Sequence, residues 1–152
     1  MKKILVAIDG SEASKRALDR ALELSKYLGA LLVVIHVVPS VEMGRLPSPT
    51  SLATVLRENP PTFLPIPPQV AFRLTREALT ELEYAKNKAE EIGVKVDFVI
   101  PEGDPAKSVI EEARKGYYLL VIGYRRKLRI PGLGSVASRI VNNVEIPVLI
   151  VK

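Results

Sequence analysis

The chain has no cysteine. That excludes disulfides, thiolate metal sites and a cysteine nucleophile. It has no tryptophan and one histidine, His36, so any scheme that needs two imidazoles is excluded too. Long apolar runs are also missing. Ile4-Leu5-Val6-Ala7-Ile8 stops at Asp9, and the run from Ala30 stops at Pro39. Neither approaches the ~20 residues that span a bilayer. No small-residue cleavage site follows the first run. The expectation is a soluble, cytoplasmic protein with no membrane contact.

What is present fits one domain. The 152 residues match the usual domain length of roughly 100–200. Hydrophobic residues make up 47% and charged residues 26%, which is ordinary globular usage. A chain of this length buries about 68–70% of its unfolded surface and needs no covalent staple. The net charge of +5 is unevenly placed. Arg125, Arg126, Lys127 and Arg129 share one short stretch, and without them the remainder is about +1. A protein that coats nucleic acid spreads its charge along a face. One basic loop suits a small anionic ligand better, and it is equally what a solvated surface loop looks like.

The periodicity alternates between strand and helix. Ile4 to Ile8 reads as a strand buried on both faces. Asp9-Gly10-Ser11 is a turn, with Ser11 placed to cap a helix and Glu12 in its first turn. Ala13, Ala17, Leu18, Ala21, Leu22, Leu24 and Leu28 recur at helical spacing, and Gly29 is a left-handed cap. Leu31 to Val38 is a second buried strand. Residues 39–68 then hold eight of the twelve prolines. Long regular structure is not expected there, apart from a short helix over Ser51 to Glu58. This segment reads as an excursion within the domain: a flexible loop without a role, a lid, or a dimer contact. A long amphipathic helix follows over residues 69–92 and stops at Gly93. Val94 to Ile100 alternates like an edge strand. Asp104 caps a helix with Pro105 at its first position, running to about Lys115. Tyr118 to Ile122 is a central strand, Gly123 to Gly134 a loop, Ser135 to Asn143 a helix, and Pro147 to Val151 the last strand.

Alternating strands and helices predict an α/β fold with a parallel sheet covered on both faces. Ligands of such sheets bind beyond the carboxyl ends of the strands, at the switch point. That directs attention to Asp9 and to the loop after the fourth strand. This loop ends in Gly132-Leu133-Gly134-Ser135 and feeds a helix. A helix N-terminus offers free N–H groups and a partial positive charge, and glycines let an anion approach them. Spacing alone fits a structural turn equally well. No GxxxxGK[ST] loop is present, and no GxGxxG follows the first strand.

Several segments together carry a family resemblance: Lys3-Ile4-Leu5-Val6-Ala7-Ile8-Asp9-Gly10-Ser11, His36-Val37-Val38, Glu102-Gly103-Asp104-Pro105-Ala106, Leu120-Val121-Ile122-Gly123, Gly134-Ser135-Val136, and Ile146-Pro147-Val148-Leu149-Ile150-Val151. In this order the chain resembles the universal stress protein family, over nearly its whole length except the proline-rich segment. The resemblance implies a doubly wound, Rossmann-like sheet of five parallel strands in the order 3-2-1-4-5. It also implies a homodimer paired through the last strand, Pro147 to Val151. One branch of the family binds nucleotides, with a glycine, two residues, a second glycine, nine residues, then glycine and serine or threonine. Gly123 and Gly134-Ser135 match the ends of this pattern. The second glycine falls on Arg126, and only seven residues separate Arg126 from Gly134. Gly132 stands nearby as a partial replacement.

Carried over by position, the resemblance implies that Ala7, Ile8 and Asp9 line the adenosine side, with Asp9 toward the ribose. The Val37 backbone meets the adenine, Ile122 and Gly123 lie under the nucleotide, and Gly134, Ser135 and Val136 donate to phosphate oxygens. Arg126 is added on its charge alone. An arginine forced to positive φ costs roughly 1–3 kcal/mol, and a charge-assisted bond to phosphate returns about 1.5–3 kcal/mol. Magnitude does not decide between them, and the surrounding basic residues favour a retained anion site. ATP or a related adenine nucleotide is the expected ligand. Mg²⁺ would be held largely by phosphates and water.

The implied role is a sensor or regulator without efficient catalysis, since no residue stands out as a general base for an attacking water. The alternative is a nucleotide-free homodimeric interaction protein whose basic loop meets an acidic partner. Nucleic acid is not expected as a ligand, because four charges limit the salt slope to about 3.6 in log K. Asp9 also reads as a cap of the first helix. His36 reads as a buried, hydrogen-bonded histidine, Tyr117 and Tyr118 as packing residues, and Glu102 and Asp104 as turn and cap residues.

Overall fold

Six-residue apolar strands with no polar face can only sit inside a sheet covered on both sides, and the computed structural model has that arrangement. It describes residues 1–40, 51–125 and 132–152. Five parallel strands, β1 (Lys3–Ile8), β2 (Leu31–His36), β3 (Val96–Val99), β4 (Leu119–Gly123) and β5 (Val148–Val151), form one sheet in the order β3-β2-β1-β4-β5. This is the topology that the resemblance implied. β1 lies at the centre, with Ile8 beside His36 of β2 and Val6 beside Val121 of β4.

Two helical layers cover the sheet. α1 (Glu12–Leu28) and α4 (Arg76–Ile92) bury Ala17, Leu18, Ala21, Leu22, Leu82, Ala85 and Ala89 against Ile4, Val6 and Ile8. α5 (Pro105–Ala113) and α6 (Ser135–Asn143) bury Ala106, Val109, Ile110, Ala113 and Ile140 against Leu5, Ile35 and Leu120. Each fully buried large apolar side chain contributes about 1.5–3 kcal/mol. β1 therefore hands the chain to one layer and β4 hands it to the other. The two connections diverge between β1 and β4, leaving a crevice at their carboxyl ends.

The caps fall where the sequence puts them. The Ser11 side chain accepts from the Ser14 N–H, Gly29 has φ +63°, and Asp104 accepts from the Lys107 N–H ahead of Pro105. The helix expected over 69–92 is instead two pieces. α3 (Pro68–Ala71) ends in a turn, and Thr75 caps α4 by accepting from the Ala78 N–H at 3.1 Å. A threonine hydroxyl at this position competes with continuation of the helix. Leu74 stays buried across the break, so the apolar pattern persists without the helix. β3 is shorter than the expected 94–100, although Val94, Phe98 and Ile100 keep to one face.

In the proline-rich segment, α2 (Ser51–Glu58) forms as expected. Leu56 and Leu64 are buried, and the Phe63 ring meets the Phe98 ring edge-on at 5.3 Å. The described part of this segment thus packs on the α1/α4 side of the sheet. Met43 and Leu46, the apolar residues earlier in the segment that also suit packing, lie outside the described residues. No helix among the described residues is long and apolar enough to cross a membrane.

Candidate functional site

The first wall of the crevice is the turn from β1 into α1. Asp9 does not cap α1, because Ser11 holds that place. Its Oδ1 accepts the Ser11 N–H at 2.9 Å, and its Oδ2 faces the Arg125 guanidinium at 2.9 Å. Burial alone would raise the Asp9 pKa. The Ser11 bonds, the Arg125 charge and Ser14 outweigh burial and hold the carboxyl below the usual range. Behind the turn, Glu81 of α4 accepts the Gly10 N–H at 3.1 Å and the Ser14 hydroxyl at 2.7 Å.

The opposite wall comes from β4 and α6. Gly123 ends β4 directly against the start of α1, where a Cβ would lie 2.4 Å from the Ala13 carbonyl oxygen. Gly134 precedes α6 in extended conformation with no side-chain cap. Its carbonyl accepts from Ser138, leaving the N–H groups of the first turn, from Ser135 on, without helical partners. The Arg139 guanidinium bonds Asp104 at 3.0 Å, which fixes α6 to the start of α5.

Between these walls lies a cavity of about 430 Å³. Ala7, Ile8, Ile35, Val37, Val109, Ile122 and Ile140 give it an apolar interior, while Asp9, Arg125, Gly134 and Ser135 stand among its polar lining. Small-molecule sites commonly combine an apolar pocket of 300–1,000 Å³ with a few placed polar groups. Of the residues singled out in the sequence, Ala7, Ile8, Asp9, Val37, Ile122, Gly123, Gly134, Ser135 and Val136 come together here. Gly132 does not line the cavity. Its φ of +99° accounts for the glycine as a turn residue. Arg126 lies outside the described residues, as do Lys127 and Arg129.

His36 also lines the cavity. Its Nδ1 is 3.0 Å from the Ile8 carbonyl oxygen. A carbonyl can only accept, so Nδ1 carries the proton and Nε2 keeps its lone pair in the neutral ring. Burial holds its pKa below the ordinary histidine value, against the opposing effects of the Ile8 carbonyl and Asp9. Glu102 and Asp104 do turn and cap work. Glu102 pairs with Arg73, whose Nη1 also bonds the Pro39 carbonyl at 3.0 Å. Among the described residues, no group of three or more His, Cys, Asp or Glu side chains could hold a metal ion.

The sequence profile described as the universal stress protein family matches residues 1–152 of this chain. The chain belongs to that family. It is similar to the universal stress protein YxiE of Bacillus subtilis, 36% identical over 153 residues that cover 99% of this chain and 98% of the relative. Among solved structures it resembles MJ0577 of Methanocaldococcus jannaschii, with a TM-score of 0.70, 25% identity, and coverage of 99% of this chain and 95% of the other. It also resembles an Arabidopsis thaliana universal stress protein family protein with AMP bound, with a TM-score of 0.66, 25% identity, and coverage of 100% and 92%.

Within this universal stress fold, the sequence reading missed four polar contributors. Arg125 stood out only as one charge in a basic stretch, and its pairing with Asp9 brings together residues 116 positions apart. Ser14 looked like an ordinary helix residue. Glu81 sits at a core position of α4, where a carboxylate is the one available signal. Arg73 fell inside the expected helix, and nothing in its spacing marks it.

Proposed function

We propose that this universal stress protein binds an adenine nucleotide, AMP or ATP, at the ends of β1, β2 and β4, and acts as a sensor or regulator. The observation that carries the reading is the pairing in one 430 Å³ cavity of an apolar interior with Asp9 on one wall and the open α6 N-terminus on the other. The adenine packs on Val37, Val109 and Ile122. Asp9 accepts from the ribose hydroxyls. The phosphates meet the first-turn N–H groups of α6 and the Ser135 hydroxyl, where a helix end favours anions. Arg125 is half exposed, and exposed ion pairs are worth about 0–1 kcal/mol. It can therefore exchange Asp9 for phosphate at little cost. With ATP, Mg²⁺ is held by phosphate oxygens and water. The AMP-bound Arabidopsis relative supports the ligand class.

Isothermal titration with AMP and with Mg-ATP, on protein stripped of carried-over nucleotide, tests the reading. The expected result is micromolar binding near one nucleotide per chain. A matching rise in Tm should follow, since ligand at 100 times Kd stabilises by about 2.7 kcal/mol. Neither heat nor a thermal shift at millimolar nucleotide would overturn it, and would favour a nucleotide-free interaction protein.

The same reading takes residues 1–152 as one domain that pairs with a second copy through β5. Val148, Leu149, Ile150 and Val151 form an apolar edge strand, each residue half-buried, with its outer side unpaired among the described residues. Open apolar edges invite pairing. Sedimentation at micromolar concentration should give twice the 16.7 kDa of the chain. A monomer would refute the pairing.

A further inference from the structure

We propose that Glu81 is a positioning residue that sets the aim of Asp9 and, through it, the protein's preference for a ribose over a deoxygenated sugar. The proposal rests on the adenine-nucleotide reading above. Glu81 lies on the buried stripe of α4 beside Ala78 and Leu82 and is 7% exposed. A carboxylate there is held away from water, which opposes its charge. Among the described residues, its hydrogen bonds come from the β1–α1 turn and the first turn of α1. Oε1 accepts the Gly10 N–H at 3.1 Å, and the two oxygens lie 2.7 and 2.9 Å from Ser14 Oγ. Ser14 Oγ in turn accepts the Asp9 N–H at 3.3 Å.

The turn is also seated sterically on α4. Gly10 has φ +84°, and a Cβ there would meet Glu77 Cβ at 3.1 Å and the Ala78 nitrogen at 3.2 Å. Two of the bonds that shape the turn around Asp9 therefore lead to one side chain about 70 residues away. If core stability alone mattered, an apolar residue would suit this stripe, since replacing buried ionic groups with well-packed apolar ones is often neutral or stabilising. What an apolar residue cannot do is accept from Gly10 and Ser14.

The test compares AMP, 2′,3′-dideoxy-AMP and adenosine by titration on wild type, Glu81→Leu, Glu81→Gln and Ser14→Ala. Loss of a positioned hydrogen bond predicts that Glu81→Leu cuts the AMP-over-dideoxy preference by about 10-fold. Ser14→Ala should cut it by about 3-fold or more by the same reasoning. Glu81→Gln should stay close to wild type, because its amide oxygen still accepts. The AMP-over-adenosine preference, which reads the phosphate end, should hold in every variant. A merely structural role would lower both preferences together or neither, and either pattern overturns the proposal. If Glu81→Leu does not fold, Ser14→Ala decides. Wild type that binds AMP without any ribose preference overturns this proposal alone. Wild type that binds none of the three overturns the nucleotide reading, and this proposal with it.

Discussion

Gly123→Ala is expected to destabilise the protein by roughly 1–3 kcal/mol, the usual cost of overpacking a tight core site. The new methyl group would sit 2.4 Å from the Ala13 carbonyl oxygen, 2.6 Å from its carbon and 3.0 Å from the Ser14 nitrogen. All three are backbone atoms, so no side-chain rotation relieves the contact. Either α1 shifts outward or β4 twists away, and both elements are held by the core on that face. For a domain of this size each kcal/mol lowers Tm by about 2–4 °C. A thermal melt should therefore show a drop of several degrees without ligand present. The shift also moves Ser14, and with it the turn that carries Asp9, so nucleotide affinity should fall as well. An unchanged melt would mean that α1 and β4 do not approach this closely.

Gly134→Val should do the opposite. Gly134 has φ −64° and ψ 168°, a conformation open to any residue, and a Cβ there meets nothing within 4 Å. The fold should lose at most about 1 kcal/mol, the cost of a poor residue at an N-cap. The branched side chain nonetheless stands at the mouth of the cavity, beside the N–H groups that would meet phosphate. Losing one charge-assisted hydrogen bond is worth about 1.5–3 kcal/mol, which is roughly a 10- to 150-fold rise in Kd. Titration with Mg-ATP beside a thermal melt separates the effects. Intact Tm with unchanged affinity would remove α6 from the site. The two glycines thus answer different questions, although the sequence presents them as one motif.

Gly123 and Gly134 are both legible as loop glycines between a strand and a helix. Only the packed structure shows that one is required by α1 and the other faces open space. Asp9 was legible as a residue at a strand end, but its role as cap of α1 was not right. Ser11 takes the cap, and Asp9 accepts from Ser11 instead. The break at Thr75 is hidden in the sequence because Leu74, Ala78 and Leu82 keep an i+4 helical spacing straight through it. The turn buries Leu74 as well as a helix would have.

Apart from the break at Thr75, the sequence by itself determined the strand and helix order, the parallel sheet, the caps at Ser11, Gly29 and Asp104, and the crevice to inspect. These follow from local periodicity and capping chemistry, which act within a few residues, and from the alternation of strands and helices along the chain. The tertiary structure alone decided that Glu81 holds the turn before Asp9, that Arg125 faces Asp9, and that Gly123 is pinned by α1. Those contacts join residues about 70 to 116 positions apart. Nothing local encodes them, because they exist only once the two helical layers close on the sheet and the buried polar groups must find one another.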